Sequence, residues 1–385
     1  MLPAPSKSFV GANLVVALPC GHHPVPASRN GSCSAPAFVP PCRELVCGDL
    51  RIQWAMQPSR TNTTRNLLLA AALLLAGCGS ACVGPGVRGS FDRTLEVSGP
   101  VRLFLTNGSG WTRVATGPSG QVRIHADFRV RAWLWENPTE RVNQLRQNPP
   151  IRQQGSFLYI GFERAEGRGV SVDYTIEAPP DTQVRLQNGS GDLTVAGLAG
   201  PVDAATGSGN VTLNQISGDV RATAGSGDVH LGGIKGTAEI TTGSGDVGIA
   251  SVGGRVRVTS GSGDITLTAP GAAVVVRNGS GDIRVSGASS DVTIHSGSGD
   301  LAVSGSPAAG AYWELHTGSG DVGLSVPTDA SFRFFAQTRH GDIRSTLRMT
   351  VLEQQSHELR AVLGQGSARV EVETGTGDVR VNASR

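Results

Sequence analysis

Ten glycine-flanked turns hold most of the residues in this chain whose type and spacing suggest chemistry. Asp192, Asn210, Asp228, Asp246, Asp264, Asp282, Asp300, Asp321, Asp342 and Asp378 each follow a glycine, in most copies as Gly-Ser-Gly-Asp. Three chemistries fit such a turn. Glycine supplies positive φ while Asp or Asn accepts from nearby backbone amides, which closes a tight turn. Tandem Gly/Asp nonapeptides bind calcium in β-rolls whose pattern is Gly-Gly-x-Gly-x-Asp. Successive glycine amides can also cradle an anion. Here Asp follows Gly with no residue between, and most nine-residue half repeats lack a second Asp. Asn210 replaces Asp without disturbing the register, as expected where an oxygen acceptor matters more than a charge. The turn reading is therefore the expectation. A weak cation site along a column of carboxylates about 4.8 Å apart remains its alternative. An anion would have to sit beside those carboxylates, which disfavours the third chemistry.

The elements that position these turns follow from their spacing. From Asp192 to Asp300 every step is eighteen residues; the next two steps are twenty-one, and Asp378 follows Asp342 by thirty-six. A weaker copy, Ser217-Gly-Asp219, lies at the half period. Two apolar residues, one position apart, follow each Asp, as in Val229 and Leu231 or Ile265 and Leu267. A second such pair lies eight and six residues before it, as in Val256 and Val258 or Val274 and Val276. Period-two alternation puts one face in and one out. Two strands per eighteen residues in constant register predict coils stacked on their own copies. About four inward side chains per coil, at roughly 1.5 to 3 kcal/mol for each larger one, do not exceed the entropy of ordering eighteen residues. The array must therefore stand by neighbour stacking. The fold class expected is all-β: a β-solenoid of the β-helix or β-roll type, with coils of about eighteen residues and two strands each.

Upstream the texture is β with one short helix. Leu95–Val97, Val101–Leu105, Gln121–Ala126, Phe128–Val130, Phe157–Ile160 and Val170–Ile176 alternate as strands. Asn137 as N-cap and Pro138 at the first position open a helix that Asn148-Pro149-Pro150 ends. Residues 91–180 are read as a β-rich cap, ending at Ala178-Pro-Pro-Asp181, and 181–385 as the solenoid with a C-terminal cap. Trp133, Trp135, Tyr159 and Phe162 suit the open N-terminal end, and Phe332, Phe334 and Phe335 the other.

The N-terminal stretch carries an address. Leu67 to Cys78 is a short apolar run behind Arg60 and Arg65, too short for the roughly 20 residues of a spanning helix. A positive region, a short apolar region and Leu75-Ala76-Gly77-Cys78 resemble a bacterial lipoprotein signal. That resemblance implies cleavage before Cys78 and lipidation of its thiol. Met56 stands where such a signal starts. The expected division is 1–55 as an extension upstream of the true start, 56–77 as signal peptide, and 78–90 as lipidated Cys78 plus a Gly/Ser/Pro tether. By the sorting rule of enterobacterial lipoproteins, Gly79 implies the outer membrane. All six cysteines lie within the first 82 residues, so no disulfide framework or cysteine metal site is expected in the body.

No catalytic constellation emerges. A net charge of +2 is too balanced for a nucleic-acid partner, and 53 glycines with 5% aromatics suit a solenoid. The eight histidines are scattered; His22 and His23 fall in the leader, and His295 and His316 beside turns. No metalloprotease, nucleophile-elbow or phosphate-loop motif occurs. The expectation is no catalytic residue, no metal centre and no cofactor. The enzymatic alternative is a carbohydrate-active β-helix of the polysaccharide lyase or hydrolase type, with its sugar groove near Trp133, Trp135, Tyr159 and Phe162.

The order of these features resembles domain-of-unknown-function family 4097. A lipoprotein signal leads, a helix precedes Phe157-Leu-Tyr-Ile160, a strand ends in Ala178-Pro-Pro-Asp181, and Ser-Gly-Asp repeats follow, as in Leu186-Gln-Asn-Gly-Ser-Gly-Asp-Leu-Thr-Val195. The resemblance covers about Leu95 to Val381. It implies a β-helical envelope protein of a group labelled as candidate adhesins, with the membrane and envelope or surface glycans or proteins as partners. It supplies no catalytic residues.

Overall fold

The computed structural model describes residues 86–131, 137–162 and 167–384. Cys78, Trp133 and Trp135 lie outside them. Two long sheets face each other across one continuous apolar core. Among the described residues one sheet has fourteen strands and the other fifteen.

The middle of the molecule follows from the eighteen-residue period. Val202–Ser208 pairs in parallel with Val220–Ser226, that strand with Ala238–Ser244, and so on through Val256, Val274 and Val292. The strands after each Asp, from Val211–Asn214 to Leu301–Gly305, do the same in the fourteen-strand sheet. The four apolar columns expected from the alternation all point inward and are buried. Two further columns do so as well. Six residues after each Asp stand Leu198, Ile216, Ile234, Val252, Pro270 and Ala288, all buried. Four residues before each Asp stand Asn188, Thr206, Ala224, Thr242, Ser260, Asn278, Ser296 and Thr317, also buried. A typical middle coil therefore presents five apolar positions and one small polar position to the core, the latter taken by alanine at Ala224, rather than four apolar positions alone.

The ends are built differently. At the N-terminal end the elements are β1 (Val87–Glu96), β2 (Arg102–Ser109), β3 (Thr112–Thr116), β4 (Gln121–Val130), α1 (Pro138–Gln147), β5 (Ile151–Gln154), β6 (Phe157–Gly161), β7 (Val170–Ala178), β8 (Gln183–Ser190) and β9 (Leu193–Ala196). β2 and β3 stack directly on β8 and β9, with Asn107 opposite Asn188 and Ser109 opposite Ser190. The solenoid thus reaches back past Asp181 to an earlier coil, Asn107-Gly-Ser-Gly-Trp111, in which Trp takes the place of Asp. On its outer side that coil meets β6 and β7. The antiparallel strands β5, β4 and β1 close the end. The Asn137 side chain accepts from the Glu140 amide and Pro138 opens α1, as the sequence predicts. Val142 and Leu145 of α1 are buried, and a Cβ on Gly89 of β1 would stand 2.8 Å from Val142.

The C-terminal end mirrors this interleaving. Chain order suggests that the Asp342 coil follows the Asp321 coil and that Asp378 comes last. In space the last coil, Ala368–Thr376 with Val379–Ala383, lies between them. It pairs with Tyr312–Ser319 and Val322–Val326 on one side and with Phe332–His340 and Ile343–Ser345 on the other. The antiparallel strands Glu358–Leu363 and Thr350–Gln354 then cover the edge of the fifteen-strand sheet. Phe332 and Phe334 are buried, as expected of a cap, whereas Phe335 faces outward beneath Arg360.

Candidate binding surface

The repeated turns form a ladder between coils. The Asn210 amide donates to Asp192 Oδ1 at 2.8 Å, and the Asp228 amide to Asn210 Oδ1 at 2.9 Å. Asp246, Asp264, Asp282 and Asp300 continue at 2.9 Å, and Asp321 at 2.8 Å. Asp378 then donates to Asp321 and Asp342 to Asp378, which traces the inserted last coil. At the other end the Trp111 amide finds Asp173 Oδ1 of β7 at 2.9 Å. Each carboxylate but that of the terminal Asp342 therefore satisfies the amide of the next coil, where the sequence reading had it accept locally. Asn210 performs the same task with a neutral oxygen. The half-period Asp219 does likewise for Thr237, whose amide and then hydroxyl hold its carboxyl below the ordinary value.

Beneath the turns the buried polar column satisfies loop carbonyls. Asn278 Nδ2 donates to Gly263, Ser280 and Gly281, and Thr317 Oγ1 to Gly299 and Ser319. Thr338 and Thr374 donate to Gly377 and Gly320 at 3.0 Å. Among the described residues, no three side chains of His, Cys, Asp or Glu are placed to share a metal ion.

The outward faces of the two sheets carry the remaining side chains of the repeat. On the fifteen-strand sheet one outward column reads Phe104, Arg185, Asp203, Arg221, Glu239, Arg257, Val275, Thr293, Glu314 and Glu371. Opposite charges alternate along it, with Arg185 to Asp203 at 3.4 Å and Arg221 to Glu239 at 2.6 Å. At its N-terminal end Phe104, Phe157 and Tyr159 stack within 17° of parallel, at centroid separations of 5.3–6.4 Å. Arg102 lies 5.1 Å from the centroid of the Phe157 ring. Of the sequence-predicted aromatic set, Tyr159 and Phe162 thus line this open groove, while the two tryptophans lie outside the described residues.

The far end of the same face holds a different group. His295 and His316 are direct cross-strand neighbours, with ring centroids 6.0 Å apart. His295 lies 3.8 Å from Glu314, and His316 lies 3.4 Å from Glu373. Glu371 holds the Tyr312 hydroxyl and the Arg369 guanidinium. Burial pushes the Glu371 carboxyl up, but these two partners outweigh it and the net shift is down. The bond to Glu371 lifts Tyr312 to about 12. A carboxyl held low is a poor proton donor. The aromatic end lies seven to ten strands from this cluster, on the order of 40 Å at about 4.8 Å per strand, so the aromatics and these carboxylates do not share one groove.

The sequence reading separated these histidines as turn neighbours, yet their twenty-one-residue offset places them side by side. Phe104 was missed as an outward aromatic because the coil containing it was not recognised behind Trp111. The fourteen-strand face carries Thr194, Thr212, His230, Gly248, Thr266 and Arg284 in one outward column, with no comparable clustering along that column.

The family model described as Toastrack DUF4097 matches residues 155–273 and again 270–382. No curated protein matches the chain. Among solved structures, an adhesin candidate from Bacteroides fragilis is 12% identical, with a TM-score of 0.34 over 76% of this chain and 96% of its own. A candidate lipid-binding protein from Parabacteroides distasonis is 7% identical, with a TM-score of 0.33 over 78% and 98%. A candidate cell adhesion protein from Clostridium sporogenes is 10% identical, with a TM-score of 0.19 over 77% and 100%. Likeness at this level decides nothing about function. The two family matches together span the repeats, the turn ladder and the inserted last coil, and on them the chain belongs to the Toastrack DUF4097 family.

Proposed function

We propose that this is a non-catalytic, lipid-anchored envelope protein, held to the outer membrane through Cys78, whose solenoid displays a binding or scaffolding surface of the adhesin kind. The observation that supports this most is the long outer face of the fifteen-strand sheet. It is built of hydrogen-bonded strands throughout, carries the ion pairs Arg185–Asp203 and Arg221–Glu239, and is open. Such a face suits a partner that lies across many strands better than a small substrate that must be enclosed. No helix of the described residues is long and apolar enough to cross a membrane, and the lipobox-like Leu75-Ala76-Gly77-Cys78 offers another attachment. The reading needs no cofactor, metal or nucleic acid.

The enzymatic alternative calls for a carboxyl held protonated beside a sugar groove. Glu371 moves the opposite way and lies far from the aromatic end. The test is made in the native host. Wild-type protein should take up labelled palmitate and fractionate with the outer membrane, and C78A should do neither. Loss of the protein should reduce adhesion or weaken the envelope. Unlabelled, freely soluble wild-type protein would defeat the anchoring half. Turnover of a polysaccharide by the purified protein would defeat the non-catalytic half.

A further inference from the structure

We infer that the N-terminal third of the fifteen-strand face is a binding site for a neutral polysaccharide chain, which deepens the binding-surface reading and rests on it. Two stretches of open groove meet at Phe104. On one side lie Tyr159, Phe162 and Gln154; on the other lie Arg185, Asp203 and Arg221. Together they cross strands β5, β6, β2 and β8 and the next coils in order.

The chemistry on this strip is of two kinds. At one end three near-parallel rings stand on a solvent face, and Tyr159 keeps 43% of its surface open. In the column of Phe104 the succeeding coils place charged or small residues. An aromatic cluster is thus a departure from the repeat. Beyond it stand planar polar side chains already fixed in pairs, Arg185 with Asp203 and Arg221 with Glu239. A sugar ring presents exactly these two complements, an apolar C–H face for aromatic rings and adjacent hydroxyls for planar donors and acceptors. Because the side chains are mounted on paired parallel strands, little ordering is left to pay for on binding.

The same features argue against other occupants. Arg185 and Arg221 are each answered by a carboxylate, which weakens the field that this stretch offers a polyanion. The rings stand on β6 and β2, which are interior to the sheet, so they do not border an edge that could take an added peptide strand. The groove is open along its length, which suits a polymer segment rather than a single sugar.

The full-length protein is tested by affinity electrophoresis and calorimetry against dextran, mannan, galactomannan and laminarin, with polygalacturonate as the anionic control. At least one neutral polymer should retard it. Y159A should weaken that binding by about tenfold, the scale of a single aromatic contact, and R185A/D203A should weaken it similarly. Y159F should keep it, and so should R284A on the opposite face. Failure to bind any neutral polymer, binding of the anionic one alone, or an undiminished affinity in Y159A would overturn the inference. Whole-cell adhesion separates the two levels. Adhesion without polysaccharide binding removes the glycan site and leaves the binding surface standing, whereas absence of both removes the surface reading as well.

Discussion

The middle coils and the end coils use the same parts under opposite rules of assembly. In the middle, each coil lies on the one made eighteen residues earlier, and sequence order equals spatial order. At the ends it does not. The first coil, β2 with β3, is covered by the later β6 and β7. The last coil is covered by the earlier Phe332–His340 and Ile343–Ser345. A stack laid down strictly in order would leave its terminal coils with one neighbour each and free to fray. Interleaving gives the first and last coils two neighbours, and closure is left to antiparallel strands. The middle therefore depends on close, identical contacts repeated many times, and the ends on long-range contacts made once.

The largest contrast should come from glycine. Gly245 has φ +129°, and a Cβ there would stand 2.3 Å from the Gly227 carbonyl oxygen. Backbone must move on both coils to admit it. Gly155, in the β5–β6 turn, also has positive φ, +59°, but a Cβ there meets nothing within 4 Å. G245A should cost upwards of about 3 kcal/mol, as strain and clash combine, and G155A only about 1 kcal/mol. Urea unfolding of the two variants measures the difference. Equal costs would mean that coil stacking is looser than drawn.

Next comes the ladder. D264A would leave the Asp282 amide without its acceptor, a loss of about 1–3 kcal/mol for a buried donor, and less where water can reach it. D264N should stay within about 0.5 kcal/mol of wild type, because Asn210 already fills this role for Asp228. Excess chelator should leave the melting temperature unchanged. A Tm falling by many degrees would favour cations bridging the carboxylate column instead.

How far these contrasts could be read from sequence follows from the same division. Wherever neighbours in space are neighbours in sequence, the period exposed them: the strands, the inward pairs and the turns. Two inward columns were still overlooked, for different reasons. The polar one, as in Asn278 and Thr317, was masked by expecting only apolar residues inside. The other, as in Ile216 and Ile234, stands past the turn at Gln215 and Gly233, where positive φ resets the alternation. At the ends, loop closure over long separations leaves no periodic trace. Trp111 hid the first coil by replacing Asp, although Asn107-Gly-Ser-Gly110 is present. Nothing in the spacing of Asp321, Asp342 and Asp378 announces that the last enters between the first two. The aromatic groove was legible only in part, since Tyr159 and Phe162 were visible and their partner Phe104 was not.

A smaller effect should sharpen the contrast within the core itself. Tyr174 of β7 is fully buried, and its hydroxyl has no hydrogen-bond partner. Burial alone pushes the phenol above its ordinary value. In the middle coils the buried polar side chains largely bond to loop carbonyls, so this cap residue is a cost without a return. Y174F should raise stability by about 1 kcal/mol, the desolvation of one unsatisfied group. A comparable loss would mean that an ordered water serves the hydroxyl.

The smallest effect separates the ends from the middle by pH. His125 of β4 lies between Asp92 of β1 at 2.7 Å and Asp127 at 3.2 Å. The hydrogen bond to Asp92 is the main cause that raises its pKa above 6.5, with burial opposing and Asp127 assisting. A group whose folded pKa exceeds its unfolded value stabilises the protonated fold. That contribution is full below about pH 6.5 and fades as pH rises through the folded value. All three side chains are substantially exposed, so solvent screens most of it. The effect should therefore be local: faster amide exchange in β1, the outermost strand of its sheet, above neutral pH, with the coils from Val202 to Gly305 unmoved. H125Q should exchange at the high-pH rate throughout. If β1 exchanges equally at pH 5.5 and 8 after correction for intrinsic rates, this clamp contributes nothing, and the antiparallel ladder with β4 alone holds that edge.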